Sequence, residues 1–141
     1  MSAPLKQRAR IARVRRLQHN IAASSAAEAA GQLRSLEFSR DRIAQMRSEL
    51  NAAAGTTSGA WLSASGELAM RLDAARMGLS GSIDAARRQA AAREQARLHA
   101  RRDQESADKL EQAAGRAVVE AADARMMKIG ARRRSKGMIE Q

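Results

Sequence analysis

Side chains capable of acid–base, nucleophilic or metal chemistry are few in this sequence, and none of them is grouped. His19 and His99 are the only histidines, and there is no cysteine. A metal site needs several ligands at close spacing, so we expect both histidines to be solvated helix residues. The segment Gly78–Gly81 has no lysine and no preceding strand, unlike a phosphate-binding loop. We therefore predict no enzyme activity and no catalytic, cofactor-binding or metal-binding residues.

Binding through charge is the chemistry that the sequence does support, because its net charge of +11 lies at its two ends. Residues 17–124 carry 14 basic and 14 acidic side chains. Cations are favourable at a helix C-terminus but oppose the helix dipole at an N-terminus, so the N-terminal charges indicate partner binding. The N-terminal basic cluster consists of Lys6, Arg8, Arg10, Arg13, Arg15 and Arg16, and the C-terminal basic cluster of Arg125, Lys128, Arg132, Arg133, Arg134 and Lys136.

Apolar residues accompany both clusters. Ile11, Val14 and Leu17 follow one another at helical spacing among the N-terminal arginines, which is typical of an amphipathic basic helix. Such a helix suits an acidic protein surface, a membrane surface or nucleic acid. Met126 and Met127 lie beside Lys128 and are either adaptable contacts for a protein partner or part of the folded core.

The single tryptophan, Trp61, follows a segment rich in turn formers. It either closes the tip of the fold or anchors a partner there. The complete set of candidate partner-binding residues is Arg8, Arg10, Arg13, Arg15, Arg16, Trp61, Met126, Met127, Lys128, Arg132, Arg133 and Arg134.

Two long helices must position these residues. Apolar residues recur every three, four or seven positions over about 5–50, among them Ile11, Val14, Leu17 and Ile21, and others recur over about 64–134. Leu36, Ile43 and Leu50 fall seven apart, as in one heptad position. We expect the two stripes to pack against each other. The stretch of about 51–63 between them contains Gly55 and Gly59 and predicts a loop, after which Ser63 or Ser65 can cap the second helix. We expect a bend or a fray at Gly78–Gly81 and a frayed C-terminal tail.

The predicted fold class is all-α, an elongated antiparallel two-helix coiled-coil hairpin forming a single domain over 1–141. Alanine dominates the apolar residues and aromatics make up 1% of the chain, which suits thin helix–helix contacts. No apolar run approaches the roughly 20 residues of a membrane span. Two staggers remain open: Leu5 lies opposite about residue 109 and the second helix projects, or 64–80 fold back and the basic ends lie level.

The middle of the chain resembles one known family. Gln45–Asn51 (QMRSELN), the Gly/Ser/Thr loop, Ala60–Leu62 (AWL) and the apolar stripe through Leu72 are similar to the centre of FliJ, the small coiled-coil protein of flagellar type III export. Length, basic charge, absence of cysteine and the helix–loop–helix plan extend this resemblance over nearly the whole chain. The chain lacks the tyrosines that the family carries near the loop, and Arg132–Arg134 stand where the family has an acidic pair.

The resemblance implies a stalk protein without catalytic residues. Such proteins enter the ring of the export ATPase, promote its assembly and turnover, and connect it to the membrane export gate; export chaperones are a further partner. The implied location is cytoplasmic, at the inner face of the cell membrane, with membrane association through partners. The alternative is a basic coiled-coil protein that binds nucleic acid. That alternative is disfavoured by the neutral middle and by the scarcity of aromatic side chains.

Overall fold

The computed structural model describes residues 2–53 and 58–140 of the chain, and this part is almost entirely helical. Helix α1 runs over Ala3–Ala52 and helix α2 over Gly59–Ile139, with 50 and 81 residues respectively. The two helices pack antiparallel, which confirms the predicted all-α two-helix hairpin. At about 1.5 Å per residue, α1 is roughly 75 Å long and α2 roughly 120 Å.

Both helices begin at serine caps. The Ser2 hydroxyl accepts a hydrogen bond from the Leu5 amide at 3.4 Å, and Pro4 lies in the first turn, where its missing N–H is harmless. The Ser58 hydroxyl accepts from the Trp61 amide at 3.1 Å. The predicted cap at Ser63 or Ser65 is therefore wrong, because α2 starts at Gly59 and Ser65 already lies inside it. The centre of the predicted loop, residues 54–57, lies outside the described residues.

The residues of the hairpin group into two compact units, and each helix contributes to both. Unit 1 comprises Met1–Ile21 and Leu98–Gln141, and unit 2 comprises Ala22–Arg97. In unit 2, the face of α1 turned towards α2 carries residues at alternating steps of three and four, a heptad pattern. Its buried or half-buried members are Ala22, Ala26, Ala29, Leu33, Leu36, Arg40, Ile43, Arg47 and Leu50. The predicted heptad of Leu36, Ile43 and Leu50 is part of this face.

Small side chains form the most buried part of the hairpin. Among the described residues the buried apolar positions are Ala12, Ala26, Ala29, Ile83 and Ala107. Because alanine is small, two helix backbones can approach closely where it faces the partner helix. The close approach also buries surface of neighbouring residues, in addition to that of the alanine side chains. The prediction of thin helix–helix contacts rather than a thick core agrees with this set.

Ion pairs between the helices define how they are aligned in each unit. In unit 1, Arg16 lies 3.1 Å from Asp108 and 3.2 Å from Glu111, and Arg15 lies 3.5 Å from Asp103. In unit 2, Arg47 pairs with Asp73 and Arg87 with Glu37. These pairs are partly exposed, so each stabilises the fold by at most about 1 kcal/mol. Their combined effect is to favour one register among the several that an alanine-rich face permits.

The second helix projects, as in the first of the two predicted staggers, but the predicted placement of Leu5 opposite about residue 109 is wrong. Ser2 and Pro4 line an open groove together with six residues of α2, so the start of α1 lies beside these residues: Ala114, Ala117, Val118, Ala121, Ala122 and Arg125. The fold-back of 64–80 is wrong because α2 is unbroken from Gly59 to Ile139. Residues 126–139 of α2 are exposed except for Gly130, and they extend past the start of α1.

The expected bend at Gly78–Gly81 is also wrong, since α2 passes through these residues as regular helix with no positive φ among the described residues. A Cβ atom added at Gly78 or Gly81 would have no neighbouring atom within 4 Å. Packing therefore does not require glycine at either position, and its effect is the larger loss of backbone entropy on folding.

We expect Gly78→Ala and Gly81→Ala each to raise the free energy of unfolding by about 0.5–1 kcal/mol, because alanine fits the same backbone and loses less entropy on folding. Urea denaturation followed by circular dichroism measures this change. A loss of stability in either variant would mean that the glycine serves a conformation other than the straight helix.

Candidate partner-binding surface

Unit 1 holds both basic clusters, because it contains the start of α1 and the end of α2. It has 16 of the 26 Lys and Arg residues against 7 of the 15 acidic residues, a formal net charge of +9, whereas unit 2 carries +2. The structure thus places 11 of the 12 predicted partner-binding residues in one unit, the exception being Trp61 in unit 2.

The N-terminal basic cluster divides into two groups with different roles. Arg15 and Arg16 are held by Asp103, Asp108 and Glu111 of α2, so much of their charge is neutralised within the fold. Arg8, Arg10 and Arg13 are exposed and have no ion pair within residues 2–53 and 58–140. Of the predicted set on α1, these three are the arginines available to an anionic partner.

The large aliphatic residues of the first turns lie outside the helix contact. We define the outer apolar row as Ile11, Val14, Leu17 and Ile21, whose exposed fractions are 38%, 52%, 60% and 62%. Ala12, Arg15 and His19 take the positions facing α2 instead, with Ala12 fully buried. The expectation that the aliphatic stripe packs within the hairpin is therefore wrong in unit 1. Exposed aliphatics beside unpaired arginines form a surface suited to a partner with apolar and acidic groups.

The C-terminal basic cluster lies on the part of α2 that extends past α1. Arg125 lines the groove beside Pro4, and Lys128 and Arg132–Arg134 are exposed. Met126 and Met127 are 70% and 77% exposed, so burial of these methionines in the hairpin, one of the two readings considered, is wrong. They remain candidate partner contacts next to positive charge.

Trp61 is half-buried and lines a groove in unit 2 with Leu50, Leu62 and Ala69 among others. This placement is the one expected of a residue that closes the start of α2 against the end of α1. Phe38, the other aromatic residue, is 66% exposed on the outward side of α1. The sequence does not single out Phe38, because one aromatic residue in a helix does not indicate whether it faces the partner helix or solvent.

The two histidines and the Glu94–Arg97 pair differ in their hydrogen bonding. His99 is exposed and lies 3.7 Å from Asp103, whereas His19 is half-buried and its Nε2 has no hydrogen-bond partner in the described part of the chain. The expectation of a solvated side chain is thus wrong for His19.

Hydrogen bonds from Arg97 lower the pKa of Glu94 below its ordinary value, and the same bonds raise the pKa of Arg97. Within the described residues, no group of three or more His, Cys, Asp or Glu side chains is placed to hold a metal ion.

None of the described helices has a stretch long and apolar enough to cross a membrane. Comparison with known proteins found no matching family model, no matching curated protein and no matching solved structure. The structure therefore defines the chain as a coiled-coil-like helical hairpin, and the likeness to the flagellar export family rests on the sequence features named above.

Proposed function

We propose that this chain is a non-enzymatic stalk or coupling component of a flagellar type III protein export apparatus. It engages the export ATPase ring and links it to the export gate, a membrane protein, and export chaperones are a further partner. It acts in the cytoplasm at the inner face of the cell membrane, where its partners hold it. The proposal combines the sequence resemblance with a helical hairpin, which is the architecture of a shaft.

The observation that carries the proposal is the concentration of exposed charge and exposed aliphatic side chains in unit 1. Unit 1 has a net charge of +9, and its outer apolar row is exposed beside Arg10 and Arg13. An acidic ring subunit offers the complementary charge, and such complementarity raises association rates and selects the partner. The methionines near Lys128 adapt to the changing contacts that a rotating ring presents.

The test is a charge reversal confined to arginines that do not support the fold. We expect Arg10→Glu with Arg13→Glu to weaken binding to a purified flagellar export ATPase about tenfold or more at low salt, and to abolish stimulation of ATP hydrolysis. Arg16 is left unchanged because its ion pairs with Asp108 and Glu111 stabilise the hairpin. Circular dichroism should show the same helix content in the variant and the wild type.

The matched control is Arg42→Glu with Arg88→Glu, which changes the charge by the same amount in unit 2. Both side chains are exposed and have no ion pair among the described residues. Equal losses from the two variants would mean that charge acts without regard to position, as expected of a nucleic-acid binder. Tight, salt-sensitive binding of the wild type to duplex DNA without stimulation of the ATPase would replace the export role with that alternative.

A further inference from the structure

The face of α2 that packs on α1 in unit 1 continues past the start of α1 and changes its charge there. Its half-buried positions include Glu111, Ala114 and Val118, at steps of three and four. The same steps lead on to the residues that we define as the open track: Ala121, Ala122, Arg125, Lys128, Ile129, Arg132 and Lys136. Acidic side chains therefore give way to basic ones on one continuous helix face.

The covered part of this face shows how the chain pairs helices. Where α1 is present, carboxylates of α2 meet arginines of α1: Asp103 with Arg15, and Asp108 and Glu111 with Arg16. On the open track the sign of the charge on α2 is reversed, since Arg125 and Arg132 lie 14 and 21 residues after Glu111 and therefore repeat its position on the helix face. A helix that continues the path of α1 along α2 must therefore supply carboxylates.

The start of the open track already has the shape of a helix-binding groove. Ser2 and Pro4 of α1 form its end, and Ala114, Ala117, Val118, Ala121, Ala122 and Arg125 line it, around an open volume of about 520 Å³. Small side chains along the floor allow another helix backbone to come close. Past Arg125 the track remains exposed, and Ile129 is 48% exposed within it.

The helix dipoles specify a direction for the occupant. A helix that continues the path of α1 runs antiparallel to α2 and brings its C-terminal end to the N-terminal end of α1. These ends attract each other because they carry opposite partial charges. The first turn of α1 contains no acidic residue that would oppose the carbonyl end of the incoming helix.

We infer that the open track binds an acidic amphipathic helix of a partner protein, laid along α2 in continuation of α1 and antiparallel to α2. A second copy of this chain is a poor occupant, because residues 1–16 carry six basic side chains and no acid. The inference holds for any protein that offers such a helix, so it stands whether or not the chain acts in flagellar export.

The first experiment measures binding of the purified full-length chain to a fluorescent synthetic helix. The probe is a peptide of about 20 residues with Ala and Leu along one face and Glu on both flanks, long enough to cover the track. The comparison peptide has Gln in place of every Glu. We expect the Glu peptide to bind at least about tenfold more tightly than the Gln peptide at low salt, with the difference shrinking as salt is added.

A pair of variants with equal charge changes locates the binding. Lys128→Glu with Arg132→Glu lies on the track and should weaken binding of the Glu peptide about tenfold or more. Lys109→Glu with Arg116→Glu lies on the opposite face of α2, where both side chains are exposed and have no ion pair among the described residues, and should change binding less than about threefold. Helix content measured by circular dichroism should be the same in both variants.

Disulfide trapping provides a second measurement. Because the chain has no cysteine, a disulfide can form only at the cysteine that is introduced. Ile129→Cys on the track should crosslink to a Glu peptide carrying one Cys in its C-terminal half, whereas Ala131→Cys on the far face should not. The inference is overturned if the Glu peptide does not bind, if the Gln peptide binds equally well, or if both cysteines crosslink alike. It is also overturned if vesicles of anionic phospholipid bind the track and displace the peptide.

Discussion

Ile83→Asp is expected to unfold much of unit 2. Ile83 is 2% exposed and is the only large aliphatic side chain among the buried residues that the structure describes. Its replacement removes that buried apolar area and places a carboxylate where it is largely shielded from water. The two effects together should lower the free energy of unfolding by about 3–5 kcal/mol, a large part of the total for a domain of this size.

Met77→Asp is the matched control because Met77 belongs to the same helix and is 78% exposed. It should change the free energy of unfolding by no more than about 0.5 kcal/mol. Urea denaturation monitored by circular dichroism gives both values. If Met77→Asp costs as much as Ile83→Asp, the face of α2 that contacts α1 has been assigned incorrectly.

The sequence carries enough information to predict the fold class. Runs of good helix formers on either side of a Gly-rich stretch indicate two helices, and one loop between two amphipathic helices indicates an antiparallel hairpin. The heptad of Leu36, Ile43 and Leu50 identifies the contact face of α1 in unit 2, because leucine and isoleucine are scarce there and mark it clearly. Helix ends are harder to predict, since Ser58, Ser63 and Ser65 have equal claims as caps until the backbone is known.

The contact face of unit 1 cannot be predicted in the same way. Hydrophobicity favours the face with Ile11, Val14 and Leu17, yet the structure buries Ala12 and leaves these aliphatics exposed. Alanine packs well between helices because it is small, not because it is strongly apolar, so a hydrophobic pattern gives it little weight. The exposed aliphatics are the residues that sequence reasoning misplaced, and they become part of the candidate surface.

The sequence predicts which charged residues belong to the candidate site, but it does not predict which of them are paired within the fold and which are free to bind a partner. Counting residues locates the two basic clusters, and an antiparallel hairpin places both in one unit. The neutralisation of Arg15 and Arg16 was not predictable, since their partners Asp103, Asp108 and Glu111 are remote in sequence and depend on the register of the helices. The distinction between structural and available arginines therefore requires the structure.

Ala12 lies on the contact face of α1 in unit 1, where a larger side chain has no room. Ala12→Phe should lower the free energy of unfolding by about 1–3 kcal/mol, because Ala12 is fully buried against α2 and a ring there forces the helices apart. The same separation should pull Arg15 and Arg16 from their carboxylate partners. Amide hydrogen exchange should consequently accelerate over residues 3–21 and much less over residues 22–52.

Ile11→Ala tests the opposite assignment at the neighbouring residue. Since Ile11 lies on the edge of the exposed outer apolar row, its truncation should cost less than about 1 kcal/mol and leave hydrogen exchange in α1 nearly unchanged. The pattern of hydrophobic residues favours Ile11 as the contact residue, whereas the structure favours Ala12. A larger loss from Ile11→Ala than from Ala12→Phe would mean that α1 is rotated by about 100° in unit 1, so that the outer apolar row packs on α2. In that case Arg10 and Arg13 would no longer stand beside an exposed apolar surface, and the partner-binding face would have to be sought elsewhere on the helix.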